Sequence, residues 1–436
     1  MIKIRGAATS FVNNDTGSNP KLFSISVLLF VMIMNPASSV MASEIEIKLH
    51  DIKELSQQHS QQWQLMVLRR DIATKEAEVR ARPENPSISY DLEMLDNGTY
   101  TEYEHSLYVE KEFRMPSHSR HIRDFRDYHV QLEEKKLQRD QAYWLAETRM
   151  GFIRIILARE ELLWMEQLNS LVSELTEAVE KRVREGETSF MDQQLLAMSS
   201  YHLEAKRDQR SVALLQMISE WKSRMGFAED DDIQFAGTFA ERPVGANGVS
   251  LPDPGDLSAL LSASPAAETR EAALISAQTQ IDLEQSRRWP SVNLEAGYKQ
   301  LNPGWYGFLA GISLPVPLLD GNRKAVEQAK IRQQMEQETL TASEQRRLRT
   351  ASQVMEAIGQ LEGKLEGFSQ LTLPPDQMMT SLEVAYREGE RSLSDVLNAL
   401  GVMAETYSTY FEQVEEYYRN ITRLEALSGR AFIDSN

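Results

Sequence analysis

The chain contains no cysteine, which excludes disulfides, thiolate metal sites, cysteine nucleophiles and lipid-modified cysteine anchors. Glycine and proline are scarce, 21 and 15 of 436 residues, so few positions can interrupt a helix. Positive charge is outnumbered: 47 Lys and Arg against 65 Asp and Glu leave a net charge of −18. That balance argues against nucleic acid as a partner and against tight binding to anionic lipid headgroups. No apolar run reaches the ~20 residues that a membrane-spanning helix needs. Also missing are a nucleophile–base arrangement, a phosphate loop and paired catalytic carboxylates, so neither an enzyme nor a cofactor is expected.

What remains is 26% charged and 42% hydrophobic, a composition suited to long solvated helices. At the N-terminus, Lys3, Arg5 and Lys21 precede an apolar run from Leu22 to Met34, and Val40-Met41-Ala42 follows with small residues near a cleavage point. Residues 1–42 therefore read as a secretory signal peptide with a long leader. A membrane anchor is the rival reading, but the run is short for it. The mature chain is expected to be exported.

One stretch occurs twice. Arg184-Glu185-Gly186-Glu187-Thr188-Ser189-Phe190-Met191-Asp192 returns as Arg387-Glu388-Gly389-Glu390-Arg391-Ser392-Leu393-Ser394-Asp395. Gly186 to Gly389 and Gly226 to Gly429 are both separations of 203 residues. Each copy reads as helix, glycine-terminated turn and capped helix, and the fixed offset means a duplicated protein. The spacing predicts a first repeat at 43–226, a connector at 227–256 and a second repeat at 257–436.

Within the first repeat, helical periodicity runs from Ile45 to about Arg82 and stops at Pro83 and Pro86. The period then changes to two: Ile88, Tyr90, Leu92 and Met94 alternate with Ser87, Ser89, Asp91 and Glu93. Asp96-Asn97-Gly98 predicts a hairpin turn. On the returning strand, Tyr103, Leu107, Val109 and Phe113 oppose Glu104, Ser106, Glu110 and Glu112. Helices are predicted over Ser117–Glu185, about 100 Å at 1.5 Å per residue, and over Phe190–Met225.

The second repeat restarts with a helix from Leu257 to Arg288, followed by a hairpin around Asn302-Pro303-Gly304. Its apolar faces are Val292, Leu294, Ala296 and Tyr298, then Tyr306, Phe308, Ala310, Ile312 and Leu314. Pro374-Pro375 interrupts the next long helix in this copy only, and a last helix runs from about Leu393 to Leu427. The four strands have membrane-spanning length, but four cannot close a barrel and an open edge is not tolerated in lipid. Either other copies complete the barrel, or the hairpins pack on the helices and hide their apolar faces.

These residues resemble the TolC family of outer-membrane channel proteins over nearly all of the mature chain. The specific parts are the two Arg-Glu-Gly-Glu turns with the Ser and Asp that follow, the closing Leu424-Glu425-Ala426-Leu427-Ser428-Gly429, and the Pro-Ser-hydrophobic strand starts. Asn85-Pro86 and the run from Ile312 to Pro317 and on to Gly321-Asn322-Arg323 are most similar to outer-membrane components of cation (heavy-metal) efflux systems of the RND type. The resemblance implies a mainly α fold with a small β part. Four strands per protomer would enter the transmembrane β-barrel of a homotrimer in outer-membrane lipid, continued by a long α-helical barrel in the periplasm. It further implies an exit duct served by a periplasmic adaptor and an inner-membrane pump, with cation or metal cargo. A duct for type I protein secretion shares the fold, and a soluble periplasmic coiled-coil scaffold is the rival of another class.

By the same resemblance, Gly186, Thr188, Ser189, Gly389, Arg391 and Ser392 form the tip where the adaptor docks. The alternative is that the turns only terminate helices. Asp395 falls on the first of the family's paired pore aspartates; the second position here is Asn398, which halves the expected ring of charge. An aspartate favoured by the helix dipole is the plainer reading of Asp395. His118 and His121 lack acidic or sulfur partners, so no metal site is expected. The methionines read as packing, and Trp305 and Tyr306 as an interfacial girdle or as core.

Overall fold

The computed structural model describes residues 45–433, except 97, 241–248, 302–303, 318–320 and 372–374. The chain divides into Met1–Ser43 and Glu44–Asn436. The first unit lies outside the described residues, and with it the signal-peptide segment. Asn97, Asn302, Pro303 and Pro374 of the expected turns and break also lie outside them.

In chain order the second unit runs β1 (Ile45–Ile47), α1 (Ile52–His59), α2 (Gln61–Ala81), β2 (Ser87–Asp96), β3 (Thr101–Phe113), α3 (Pro116–Glu185) and α4 (Phe190–Met225). After β4 (Ile233–Phe235) come α5 (Leu257–Ser262), α6 (Pro265–Ser286), β5 (Val292–Leu301), β6 (Trp305–Ser313), α7 (Arg323–Leu371), α8 (Pro375–Arg387) and α9 (Leu393–Ser428). The 70 residues of α3 form one helix of about 105 Å. Gly151, its only glycine, is where the Trp221 indole lies against it: a Cβ there would stand 3.1 Å from Trp221 Cδ1. The same indole Nε1 donates to the Thr148 carbonyl at 3.1 Å. Pro375 opens α8, so the second long helix is divided, as its prolines require.

Two expected helices are not single. Ile45–Ile47 is a strand, paired in parallel with Ile233–Phe235 of the connector, and the helix that follows breaks at Ser60. The segment expected as one helix from Leu257 to Arg288 breaks at Ala263 and Ser264 and ends at Ser286. Both breaks have the same cause. Ser60 accepts from Trp63 N–H and Ser264 from Ala267 N–H, each capping the helix that restarts. Gly226 abuts the backbone of His59 and Ser60, and Gly429 lies against Pro265, so each repeat's last helix ends against the break of its own half.

The strands form one antiparallel sheet in the order β2-β3-β5-β6, with β3 and β5 joining the two hairpins. The helices that carry them stand in the same order, α2-α3-α6-α7. Further from the sheet the row becomes α4-α3-α9-α7. One large core fills the middle, around Trp63, Phe152, Trp221, Phe235, Tyr417 and Tyr418. A second runs towards the turns, from Trp164 and Phe411 to Val179 and Leu393. Beside the sheet, only Ile122, Phe125 and Leu283 among the described residues are gathered in a buried cluster. The strands are therefore not folded onto a core of their own.

Candidate functional site: an open sheet and a two-turn tip

The sheet exposes the face that the sequence marks as apolar. Ile88 is 74% exposed, Trp305 77% and Phe308 91%, with Tyr90, Leu92, Met94, Leu107 and Ile312 also exposed. The alternative in which the hairpins hide these residues against helices is thereby overturned. Trp305 and Tyr306 are not core residues, since both stand in the open beside the second turn. The strands are 10, 13, 10 and 9 residues long, enough to cross a bilayer's hydrocarbon. No described helix is long and apolar enough to do so.

The opposite face is polar and acidic. Register places Asp91 beside Ser106, Glu93 opposite Glu104, and Glu110 opposite Glu295. The Lys299 ammonium pairs with Glu104, and Tyr108 donates to Asp91 at 2.5 Å. Gly297 permits the close passage of Tyr108, because a Cβ there would meet Tyr108 Cβ at 2.7 Å. Among the described residues, both outer strands, β2 and β6, have hydrogen-bonded neighbours on one side only.

At the far end of α3, Gly186 adopts φ +78° and ends the helix, with Glu187 N–H donating to Arg182 O at 2.9 Å. Gly389 repeats this at φ +76°, with Glu390 N–H donating to Ala385 O at 2.9 Å. Ser189 and Ser392 then cap α4 and α9 in full capping boxes, in which Asp192 and Asp395 accept from the cap residue's N–H. Thr188 Oγ1 donates to Asp192 at 2.7 Å and Ser392 Oγ to Asp395 at 2.7 Å. These bonds hold both carboxyls below the usual aspartate value. Arg391 and Asn398 are exposed, Asn398 one turn beyond Asp395 on the same side of α9.

A residue that the sequence did not single out brings the two turns together. Arg182, one turn before Gly186, donates from Nη1 to Tyr386 O at 3.2 Å and stacks over the Tyr386 ring at 5.1 Å. Its Nε also lies 3.6 Å from Glu187 Oε2. The duplicated position holds Ala385, so a search for matched residues passes over it.

The closing Leu424–Gly429 motif has a different task. Glu425, almost fully buried, pairs with Arg149 at 3.2 Å and accepts from the N–H groups of Phe432 at 2.7 Å and Ile433 at 3.2 Å. It fixes the returning C-terminal segment to the middle of the molecule. His118 bridges α3 to α6 through Ser286 Oγ at 2.8 Å, and burial beside Arg287 and Arg114 lowers its pKa. Among the described residues no cluster of His, Asp or Glu could hold a metal ion. Met191 and Met198 are exposed on α4 rather than packed as the sequence suggests.

The chain thus presents an open sheet with one apolar and one acidic face, on a helical stem that ends in two turns. Residues 257–430 match the model of the family described as outer membrane efflux protein. The whole fold is similar to solved outer-membrane channels. CusC matches with a TM-score of 0.69 at 15% identity over 87% of this chain and 90% of its own. OprN matches at 0.73 and 15% over 88% and 90%. The open state of MtrE from Neisseria gonorrhoeae matches at 0.70 and 14% over 88% and 89%. No curated protein sequence matches the chain. The fold is that of these outer-membrane channels.

Proposed function

We infer that this protein is the outer-membrane exit duct of a tripartite efflux system, working as a homotrimer. The observation that carries the reading is the sheet's two unpaired edges beside an exposed apolar face. In hydrocarbon every backbone N–H and C=O must be satisfied, so the edges must meet those of other copies. β6 of one copy pairs with β2 of the next, and twelve strands close in three copies. The acidic face then lines the pore, where it favours cations over anions and suits a cation or metal cargo. The stem stands in the periplasm.

A periplasmic adaptor docks at the turns around Gly186, Thr188, Ser189, Gly389, Arg391 and Ser392 and links the duct to an inner-membrane pump. The capped turns at one end of a long stem support that role, because all of these residues but the half-buried Thr188 are exposed. Asp395 and Asn398 narrow the closed pore at the tip. Asp395→Asn separates the carboxylate's two tasks, since asparagine still accepts the bonds of the cap but carries no charge. Single-channel recording of this variant is expected to show weaker cation selectivity with the tip intact. Unchanged selectivity would remove Asp395 from the pore.

A further inference from the structure

We propose that a cavity between α3, α4 and α9, lined by Trp164 and Lys206, is a binding site for a small organic anion: a carboxylate on an apolar body of about one ring. The site lies within a single protomer and is independent of the ring of copies inferred above. Its volume is about 240 Å³. An apolar cavity of ~150 Å³ accepts benzene, so one ring with its carboxylate fits, and a drug-sized molecule does not.

The indole of Trp164 is held but not satisfied. Trp164 of α3 is only 6% exposed and stacks on Tyr407 of α9, with ring centroids 4.8 Å apart and 22° between the planes. Its Nε1–H is nevertheless buried with no hydrogen-bond partner among the described residues. A buried donor left unmet is costly, so this position calls for an acceptor. Glu161, one turn earlier on α3, is not that acceptor. It is 3% exposed and is taken up by Arg210 of α4 at 2.8 Å and by Ser408 of α9 at 3.4 Å. Those contacts fasten the three helices around the space and neutralise Arg210.

Lys206, one turn before Arg210 on α4, lines the same space and has no acidic partner among the described residues. One positive charge on the lining is therefore uncompensated. Met165, Leu168, Leu203 and Ala404 supply the apolar part of the wall. A carboxylate answers the indole N–H and the ammonium charge together, and its apolar body covers the wall. Water answers the N–H alone. The duplication separates this chemistry from the needs of the fold. At the 203-residue offset Lys206 and Arg210 correspond to Thr409 and Gln413, so the helical plan that both halves share requires neither cation. An anion in the cavity touches α3 and α4 of the first repeat and α9 of the second, and so braces the two halves against each other.

The test uses the full chain with ¹⁵N-labelled indoles, transferred from detergent into amphipol so that no detergent monomer occupies the site. Trp164→Phe keeps a ring to stack on Tyr407, removes the donor and assigns its signal among the six indoles. Benzoate is expected to move the Trp164 signal saturably, with benzyl alcohol and benzylammonium weaker by about tenfold. Lys206→Gln, at an exposed position, should raise the benzoate Kd about fivefold and leave the other indole signals in place. Equilibrium dialysis of radiolabelled benzoate should show a similar loss for Trp164→Phe. A Trp164 signal that benzoate leaves unmoved would overturn the site, since water alone would then fill it. An equal response to benzylammonium, or an unchanged Kd in Lys206→Gln, would overturn its preference for an anion.

Discussion

Asp192 and Asp395 serve first as the third residue of matched capping boxes. Hydrogen bonds from Thr188 and Ser189, and from Ser392, depress their pKa values below the ordinary aspartate value. A depressed carboxyl stabilises the fold fully above its unfolded value, and that contribution is lost as the pH falls through the lowered one. The first turns of α4 and α9 should therefore hold at neutral pH and fray only below about 3.8. Amide exchange at the tip, corrected for intrinsic rates, reads this directly; fraying already near pH 6 would contradict it. Ser392→Ala should cost about 1 kcal/mol of local stability at the start of α9. Glu425 is the opposite case: its burial beside Arg149 makes Glu425→Ala cost about 3–5 kcal/mol, because an uncompensated guanidinium is left inside. A denaturant midpoint unchanged by Glu425→Ala would contradict the assigned anchor.

Among the elements, glycines that look alike in the sequence should behave differently. Gly186, Gly226, Gly389 and Gly429 all end helices at positive φ, where an L-residue costs about 1–2 kcal/mol. Gly186 has open space around it, whereas a Cβ at Gly226 would collide with the His59 carbonyl, and one at Gly429 would stand 2.5 Å from Pro265. Thermal unfolding should therefore separate Gly226→Ala and Gly429→Ala, strongly destabilised, from Gly186→Ala, mildly so. Equal shifts would sink this distinction. The same contrast explains what was legible beforehand. The hairpins, the tip turns and the division at Pro375 carry local signals: a change of period, a glycine, a proline. The break at Ser60 carries none, since a polar serine fits the exposed side of a continuous helix, whereas Ser264-Pro265 is a cap and first-position proline that helical periodicity on both sides outweighed. Strands β1 and β4 are three residues each, too short for alternation to show, and their pairing spans the whole first repeat. Arg182 was missed because its contact joins two halves at positions that the duplication does not match.

At the scale of the molecule, both halves of the duplication are needed to make one open wall: two hairpins make one sheet, and two helix pairs make one row of the stem. The wall has no closed form by itself. Its lipid-type face is bare, its strand edges are unpaired, and large side chains project from the ends of the row. Closure by rotation answers all three demands at once, with the same edge-to-edge contact used at every junction. The most direct measurement is the mass and location of the purified protein. The account predicts a three-copy particle extracted from the outer-membrane fraction only with detergent. A monomer that remains soluble without detergent would contradict it.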